Sequence, residues 1–191
     1  MASASVELTS MNLGFTFSQR QAEYLELAWR EAYREAINLS PGTVRLGAYW
    51  DEIEPEPGRS DFSTLDWLLD KAAARDLRII LTVGLKAPRW PEYYLPAWLD
   101  RRLPDGGRVT DEPDVRVHTL DFIRQVIQRY CGREVIAYWQ VENEPLDPAG
   151  RGGRRLAGQR RGQAPDVVNC GSRLARMYSW NRAACSPHHA T

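Results

Sequence analysis

Short apolar runs rich in β-branched residues alternate with longer amphipathic segments over the first 145 residues. The apolar runs lie at 13–17, 43–50, 78–84 and 135–141. The segments between them carry apolar residues at helical spacing. These segments lie at 21–37, from Ser60 or Asp61 onward, and at 114–130. The alternation predicts repeated βα units on a parallel sheet.

The number of predicted elements narrows the fold. Four strands and three crossover helices are about half the content of an eightfold βα barrel of about 250 residues. A flavodoxin-like sheet has a similar count, but no strand here is followed by a Gly-rich phosphate loop, which disfavours a domain for phosphate-bearing ligands. We therefore expect an α/β fold of the (β/α)8 TIM-barrel type, truncated to about its first four βα units.

The character of the chain changes after Pro145. Residues 150–162 are low in complexity and show no periodic apolar pattern. Residues 1–145 hold 23 acidic and 17 basic residues, whereas 146–191 hold 2 acidic residues and 8 Arg, so the formally neutral chain divides into −6 and +6. We expect half of a barrel at 1–147 and an irregular or disordered basic tail at 148–191. Whether the tail is natural or comes from a shifted reading frame stays open.

Composition excludes several classes of protein. The chain is 43% hydrophobic and 26% charged, as in soluble globular domains, and it has no apolar run of about 18 residues. Residues 1–7 show no basic region followed by a long apolar stretch, so we expect either no export signal or one that has been lost. We expect a cytoplasmic protein with no membrane partner. The basic tail lacks interleaved aromatics and a base-reading motif, so no nucleic acid is expected. Three separated cysteines, Cys131, Cys170 and Cys185, and three His residues show no zinc spacing, so we expect no metal and no organic cofactor.

Polar residues follow two of the predicted strands. They are Trp50-Asp51-Glu52 and Glu142-Asn143-Glu144-Pro145. The active sites of βα barrels lie at the carboxyl ends of the strands, so these residues are the first candidates for chemistry. Glycoside cleavage needs a carboxylic acid that stays protonated near neutral pH and a second, ionised carboxylate.

Two motifs carry a family resemblance. The motif Asn143-Glu144-Pro145, after an apolar strand that contains Trp139, resembles the acid/base strand of the clan A glycoside hydrolases. The segment 54–62, Glu-Pro-Glu-Pro-Gly-Arg-Ser-Asp-Phe, is similar to a segment of the β-galactosidase-like family 42, and residues 139–145 also resemble family 5 enzymes. The resemblance covers about residues 12–147.

The resemblance implies a retaining hydrolase of β-linked glycosides. It makes Glu144 the general acid/base and Asn143 a hydrogen-bond partner of the sugar 2-hydroxyl. It places Arg45 beside the nucleophile, and a guanidinium within a buried strand is expected to pair with a carboxylate. The family nucleophile is a Glu after the seventh strand, but no Glu follows Glu144 here, so no nucleophile is found. We expect little or no turnover, and a non-catalytic carbohydrate-binding or scaffold fragment is the alternative.

Three tryptophans are candidates for stacking on a sugar ring. An aromatic face suits the C–H face of a pyranose, and Trp50, Trp90 and Trp139 all lie near predicted strand ends. For each of them, packing in the core or in a loop is the competing interpretation.

Three charged residues near strand ends complete the predicted site. Glu52 and Lys86 lie just beyond strands and are expected to reach sugar hydroxyls. Glu142 is a further binding candidate that more often orients its neighbours. A half barrel would also leave its first and fourth strands as bare edges, which predicts self-association through these edges or poor solubility. The sugar, the linkage and exo or endo action stay open.

Overall fold

The four strands form one parallel sheet. The computed structural model describes residues 13–89, 92–103 and 111–145. Its strands are β1 (Gly14–Thr16), β2 (Thr43–Gly47), β3 (Arg78–Val83) and β4 (Ile136–Val141). They pair side by side in chain order, and every pair is parallel. The predicted parallel α/β arrangement is thereby confirmed.

Six helices connect these strands within the described ranges. They are α1 (Gln19–Tyr24), α2 (Trp29–Asn38), α3 (Trp50–Ile53), α4 (Ser63–Ala73), α5 (Ala97–Asp100) and α6 (Pro113–Tyr130). The helix predicted at 114–130 is confirmed as α6. The expected cap at Ser60 or Asp61 is wrong, because α4 begins at Ser63 with Phe62 at its N-cap and no side-chain cap. The Asp61 carboxylate accepts the backbone N–H of Ser63 at 2.8 Å, in the turn before the helix.

The single helix predicted at 21–37 is wrong. The structure has two helices there, and Glu26 between them has a left-handed φ of +56°. The backbone N–H of Leu27 turns back to the carbonyl of Ala22, which ends α1. Leu25 and Leu27 are 54% and 53% exposed, so the apolar residues of this segment do not all lie on one buried helix face. A left-handed residue other than glycine leaves no signal in the apolar pattern.

The second apolar run, at 43–50, also differs from the prediction. Strand β2 ends at Gly47, although the N–H of Ala48 still bonds to the carbonyl of Thr82 at 2.9 Å. Trp50 then begins the short helix α3. Because Ala48, Tyr49 and Trp50 are buried too, the apolar run continues past the end of the strand.

The core lies between the sheet and its helices. Alternate residues of β3, namely Ile79, Leu81 and Val83, are fully buried on the helical side of the sheet. They pack with residues from α2, α4 and α6, which include Tyr33, Leu68, Leu69, Phe122 and Val126. This core fixes the sheet, and so it fixes where the loops after each strand begin.

The long segment after β3 folds back over the carboxyl edge of the sheet. Tyr94 donates its N–H to the carbonyl of Leu85, and its own carbonyl accepts the N–H of Asp51. The indole of Trp98 donates to the carbonyl of Glu54. The described parts of this segment therefore join the loops after β2 and β3 into one surface.

Some predictions fall on residues outside the described ranges. These are Trp90, the basic tail at 148–191, Cys170, Cys185 and two of the three His residues. In the described part of the chain, no helix combines the length and the apolar character that crossing a membrane requires.

Candidate active site

The loops after β3 and β4 run side by side. The N–H of Glu142 bonds to the carbonyl of Val83 at 2.9 Å, and the N–H of Asn143 bonds to the carbonyl of Lys86 at 3.0 Å. Glu142 and Glu144 have left-handed φ values of +62° and +46°. Such values are uncommon for residues other than glycine, so tertiary contacts must hold this turn.

The carboxylate of Glu142 binds main-chain amides. It accepts the N–H of Leu85 with both oxygens at 3.0 Å and the N–H of Lys86 at 2.7 Å. It lies against Gly84, whose φ is +124° and where a Cβ atom would overlap the carboxylate. Burial raises the pKa of Glu142 to about 7, against the opposing effect of the two amides and of the Lys86 charge. Glu142 was predicted to bind substrate, and the structure places its carboxylate on the protein backbone instead.

The side chain of Lys86 is fully buried. Its Nζ donates to the main-chain carbonyl of Glu144 at 2.7 Å and lies 3.1 Å from Oε2 of Glu92. The ammonium also lies 5.4 Å from the ring centroid of Tyr93. The prediction that Lys86 reaches sugar hydroxyls is therefore corrected. A buried ammonium needs charged and polar partners, and it finds them inside the protein.

Glu144 presents its carboxylate at the surface of the same turn. The residue is exposed, and its Oε2 accepts a long hydrogen bond of 3.4 Å from Nδ2 of Asn143. Asn143 is buried, and its Oδ1 accepts from Nε2 of Gln140 at 3.3 Å. The amide of Asn143 is thus oriented with its NH2 group toward Glu144. An exposed carboxyl beside an oriented amide donor is suited to proton exchange with a bound ligand.

Arg45 lies on β2 and is linked to Asn143 through the side chain of Gln140. Its Nε donates to Oγ1 of Thr16 at 3.0 Å, and its Nη1 donates to Oε1 of Gln140 at 3.4 Å. The same Oε1 accepts from the hydroxyl of Thr82. No carboxylate of the described residues lies within 4.0 Å of this guanidinium, so the predicted carboxylate partner is corrected to two neutral oxygens. Arg45 is only half-buried, and solvent reduces the cost of this arrangement.

A second polar group follows β1 and β2. Nε2 of Gln19 donates to Oε2 of Glu52 at 3.0 Å, and Nη2 of Arg20 lies 2.9 Å from Oδ2 of Asp51. Burial raises the pKa of Asp51, with the charge of Arg20 acting in the opposite direction. Glu52 therefore lies at the carboxyl edge, as predicted, and Gln19 already contacts it.

The tryptophan predictions have mixed outcomes. Trp50 is 1% exposed, its ring is stacked on Phe122 at 4.8 Å between centroids, and its Nε1 donates to Glu54. No ring face of Trp50 is accessible to a sugar, so this assignment is corrected to a core residue. Trp139 is partly buried and packs against the core.

Sequence reasoning did not select Gln140 or Gln19, which link the candidate groups. Gln140 donates to the carbonyl of Glu142 and to Asn143 and accepts from Arg45. One signal was present, since Gln140 is a polar residue within an apolar strand. Gln19 lies in the first turn of an amphipathic helix, where its sequence context is ordinary.

Comparisons with known proteins identify the family of this chain. The model of glycoside hydrolase family 42, described as beta-galactosidase, matches residues 21–149. The chain belongs to this family. Beta-galactosidase BgaA of a Thermus species is 31% identical over 126 residues, which are 61% of this chain and 20% of that protein. Beta-galactosidase LacZ of Heyndrickxia coagulans is 26% identical over 136 residues, or 62% of this chain and 19% of that protein. The family 42 chain thus spans about a fifth of the length of these relatives.

Solved structures agree on the fold. A catalytic mutant of the family 42 β-galactosidase Gan42B from G. stearothermophilus aligns with a TM-score of 0.54 at 24% identity, covering 70% of this chain and 21% of that one. A family 5 protein from Streptomyces cattleya, solved with GlcNAc, aligns with a TM-score of 0.56 at 21% identity, covering 75% and 36%. The expected TIM-barrel type is confirmed, with the chain corresponding to part of a (β/α)8 barrel.

Proposed function

We propose that this family 42 chain carries the acid/base side of a retaining site for β-linked galactosides, with Glu144 as the general acid/base. One observation carries the proposal. The turn after β4 exposes the Glu144 carboxylate while Asn143 next to it is buried and oriented by Gln140. Membership in a family whose relatives are named β-galactosidases supports the sugar and the linkage.

In this proposal Glu144 donates a proton to the glycosidic oxygen as the bond to the leaving group breaks. The same carboxylate later removes a proton from the attacking water. Asn143 is placed to donate its amide to the sugar 2-hydroxyl, a bond that strengthens as positive charge develops on the ring. Gln140 holds that amide in the required orientation.

Among the described residues, we assign no carboxylate as the nucleophile. Retention requires two carboxyl groups about 5–5.5 Å apart across the sugar. The carboxylate of Glu142 is bound to backbone amides, and that of Glu52 is bound by Gln19. We therefore expect this chain to turn over substrate far more slowly than a complete retaining site.

Comparing two substrates tests the role of Glu144. Lactose has a poor leaving group that needs protonation, whereas o-nitrophenyl β-galactoside has a good one. In Glu144→Gln, any hydrolysis of lactose is expected to fall about 100-fold or more, and hydrolysis of the nitrophenyl substrate should fall less. Glu31→Gln, on the exposed face of α2, is the matched control. Equal losses on both substrates, or no loss, would contradict the assignment.

A non-catalytic carbohydrate-binding fragment is the second candidate function. The lack of an assignable nucleophile among the described carboxylates favours it. Titration calorimetry with galactose distinguishes the two proposals. If wild type and Glu144→Gln bind equally and neither hydrolyses lactose, the binding fragment is the function.

We also propose that copies of the chain associate through their open edges. Strands β1 and β4 each have one neighbour in the described sheet, and apolar side chains near both edges are exposed, namely Leu13 beside β1 and Tyr138 and Val141 on β4. Light scattering across a concentration series should show dimers or larger species, and Val141→Lys should reduce them. A monomer at every concentration would exclude this association.

A further inference from the structure

The turn that presents Glu144 has an unusual backbone. Two residues, Glu142 and Glu144, lie in the left-handed region, and Asn143 separates them. Neither is a glycine, so the local sequence does not favour this conformation. The direction of the Glu144 side chain depends on the turn, and the contacts that hold the turn therefore decide where that carboxylate is placed.

We infer that Glu142 and Lys86 are positioning residues that fasten the main chain of Glu144 to the loop after β3. The inference rests on the proposed role of Glu144 as acid/base. Neither side chain needs to touch the sugar. Each binds the main chain of the opposite loop, so the two contacts are reciprocal.

The first contact runs from the β4 loop to the β3 loop. The carboxylate of Glu142 accepts the N–H groups of Leu85 and Lys86, at 3.0 Å and 2.7 Å. Gly84 makes this approach possible, because a Cβ at that position would overlap the carboxylate. Carboxylate hydrogen bonds to backbone N–H are charge-assisted and directional, so they fix the orientation of residue 142.

The second contact runs in the opposite direction. The Lys86 ammonium, with no exposed surface, donates to the main-chain carbonyl of Glu144 at 2.7 Å. Its charge is balanced by Glu92 at 3.1 Å. A buried ammonium is costly unless it is well bonded, so a change of the Glu144 backbone that lost this contact would be unfavourable.

A backbone hydrogen bond lies between the two contacts. The N–H of Asn143 donates to the carbonyl of Lys86 at 3.0 Å. Residues 142, 143 and 144 are thus each bonded to the β3 loop, through a side chain, a backbone N–H and a backbone carbonyl. This series of contacts leaves the carboxylate of Glu144 as the part of the turn that extends into solvent.

The two lysines of the chain give a direct test on the wild-type protein. They are Lys71, which lies on the partly exposed side of α4, and Lys86, which is buried. Acetylation with limiting acetic anhydride, followed by mass spectrometry, compares them in one sample. Lys86 is expected to react at least about tenfold more slowly than Lys71, as a buried, hydrogen-bonded ammonium should. Equal rates would overturn the inference.

Variants test the positioning itself. Glu142→Gln keeps the size of the side chain but turns an NH2 group toward backbone donors, and Lys86→Met keeps the stem without the ammonium. In either variant we expect amide exchange at Leu85 and Asn143 to rise at least about tenfold and the backbone carbon shifts of Glu144 to move away from left-handed values. Lys71→Met and Glu31→Gln are the matched controls and should leave these signals unchanged. Unchanged Glu144 shifts in both test variants would contradict the inference.

Kinetic measurements separate this inference from the proposed function. If wild type hydrolyses lactose, Glu142→Gln should lower kcat with little change in KM, whereas a binding role would raise KM. If wild type does not hydrolyse lactose, the proposal that this chain is catalytic fails. The amide exchange rates and the carbon shifts of Glu144 still decide whether Glu142 and Lys86 hold the turn in place. If Lys86→Met does not fold, Glu142→Gln and the acetylation rates decide it alone.

Discussion

At the carboxyl edge of the sheet, the charged residues after β1 and β2 have different kinds of partner from those after β3 and β4. After β1 and β2, Asp51 and Glu52 bind other side chains, those of Arg20 and Gln19. After β3 and β4, Glu142 binds main-chain amides, and Lys86 donates to a main-chain carbonyl in addition to its ion pair with Glu92. A side chain that binds another side chain orders two flexible groups, whereas one that binds backbone orders only itself. The second half of the edge is therefore better suited to hold a reacting carboxylate in one place.

The largest expected effect on stability is at Trp50, which lies between the carboxyl edge of the sheet and the core. Trp50→Ala should destabilise the protein by about 3–5 kcal/mol, because it removes a ring stacked on Phe122 and leaves a cavity. Denaturant unfolding of the variant measures this loss. Trp139→Ala, at a partly buried position, should cost less. If Trp50→Ala hardly changed the free energy of unfolding, Trp50 would again be a candidate for stacking on a sugar ring.

Gly84 tests how closely Glu142 approaches the β3 loop. Gly84→Ala should cost about 3 kcal/mol, because it combines a left-handed φ with overlap against the Glu142 carboxylate. Gly58→Ala is the matched control, since its φ is +74° and nothing lies within 4 Å of the added carbon. Backbone strain alone predicts about 1 kcal/mol there. Equal costs at the two glycines would show that the contact with Glu142 contributes nothing.

The pH dependence of stability compares two partly buried acids, Glu142 and Asp51. The fold raises the pKa of Glu142 to about 7 from an ordinary value of 4.5, so its proton is bound more tightly in the folded state. This contribution to stability is complete below about pH 4.5 and is lost as the pH rises through 7, by at most about 3 kcal/mol. Glu142→Gln should flatten the unfolding free energy over this range. Asp51→Asn should act in the same direction to a smaller extent, because burial raises that pKa as well.

The smallest expected effect is at the β1–β2 half of the edge. Arg20→Met removes a partly exposed ion pair with Asp51 and should cost about 0.5–1 kcal/mol. High salt should reduce this difference, which denaturant unfolding in low and high salt can measure. Arg34→Met, in an exposed pair with Glu31, is the control and should cost less. A loss above about 2 kcal/mol would mean that this half is held as firmly as the other.

The loop contacts explain why prediction from sequence succeeded in some places and not in others. The position of Glu144 followed from a local motif at a strand end, and the structure places it at that edge. The position of Lys86 gave no indication that its Nζ binds the carbonyl of a residue 58 positions further along the chain. Trp50 had the same local features as a sugar platform, and only the approach of Phe122 from α6 buries it.

The sequence by itself determined the order of βα units, the parallel class of the sheet and the family, because apolar periodicity and short motifs are local properties of the chain. It also located the polar strand ends at which the candidate site lies. Only the tertiary structure decided which acidic residue is exposed and which is bound. Burial and hydrogen bonding depend on segments distant in sequence, and Glu142 and Glu144, two positions apart, therefore have opposite environments.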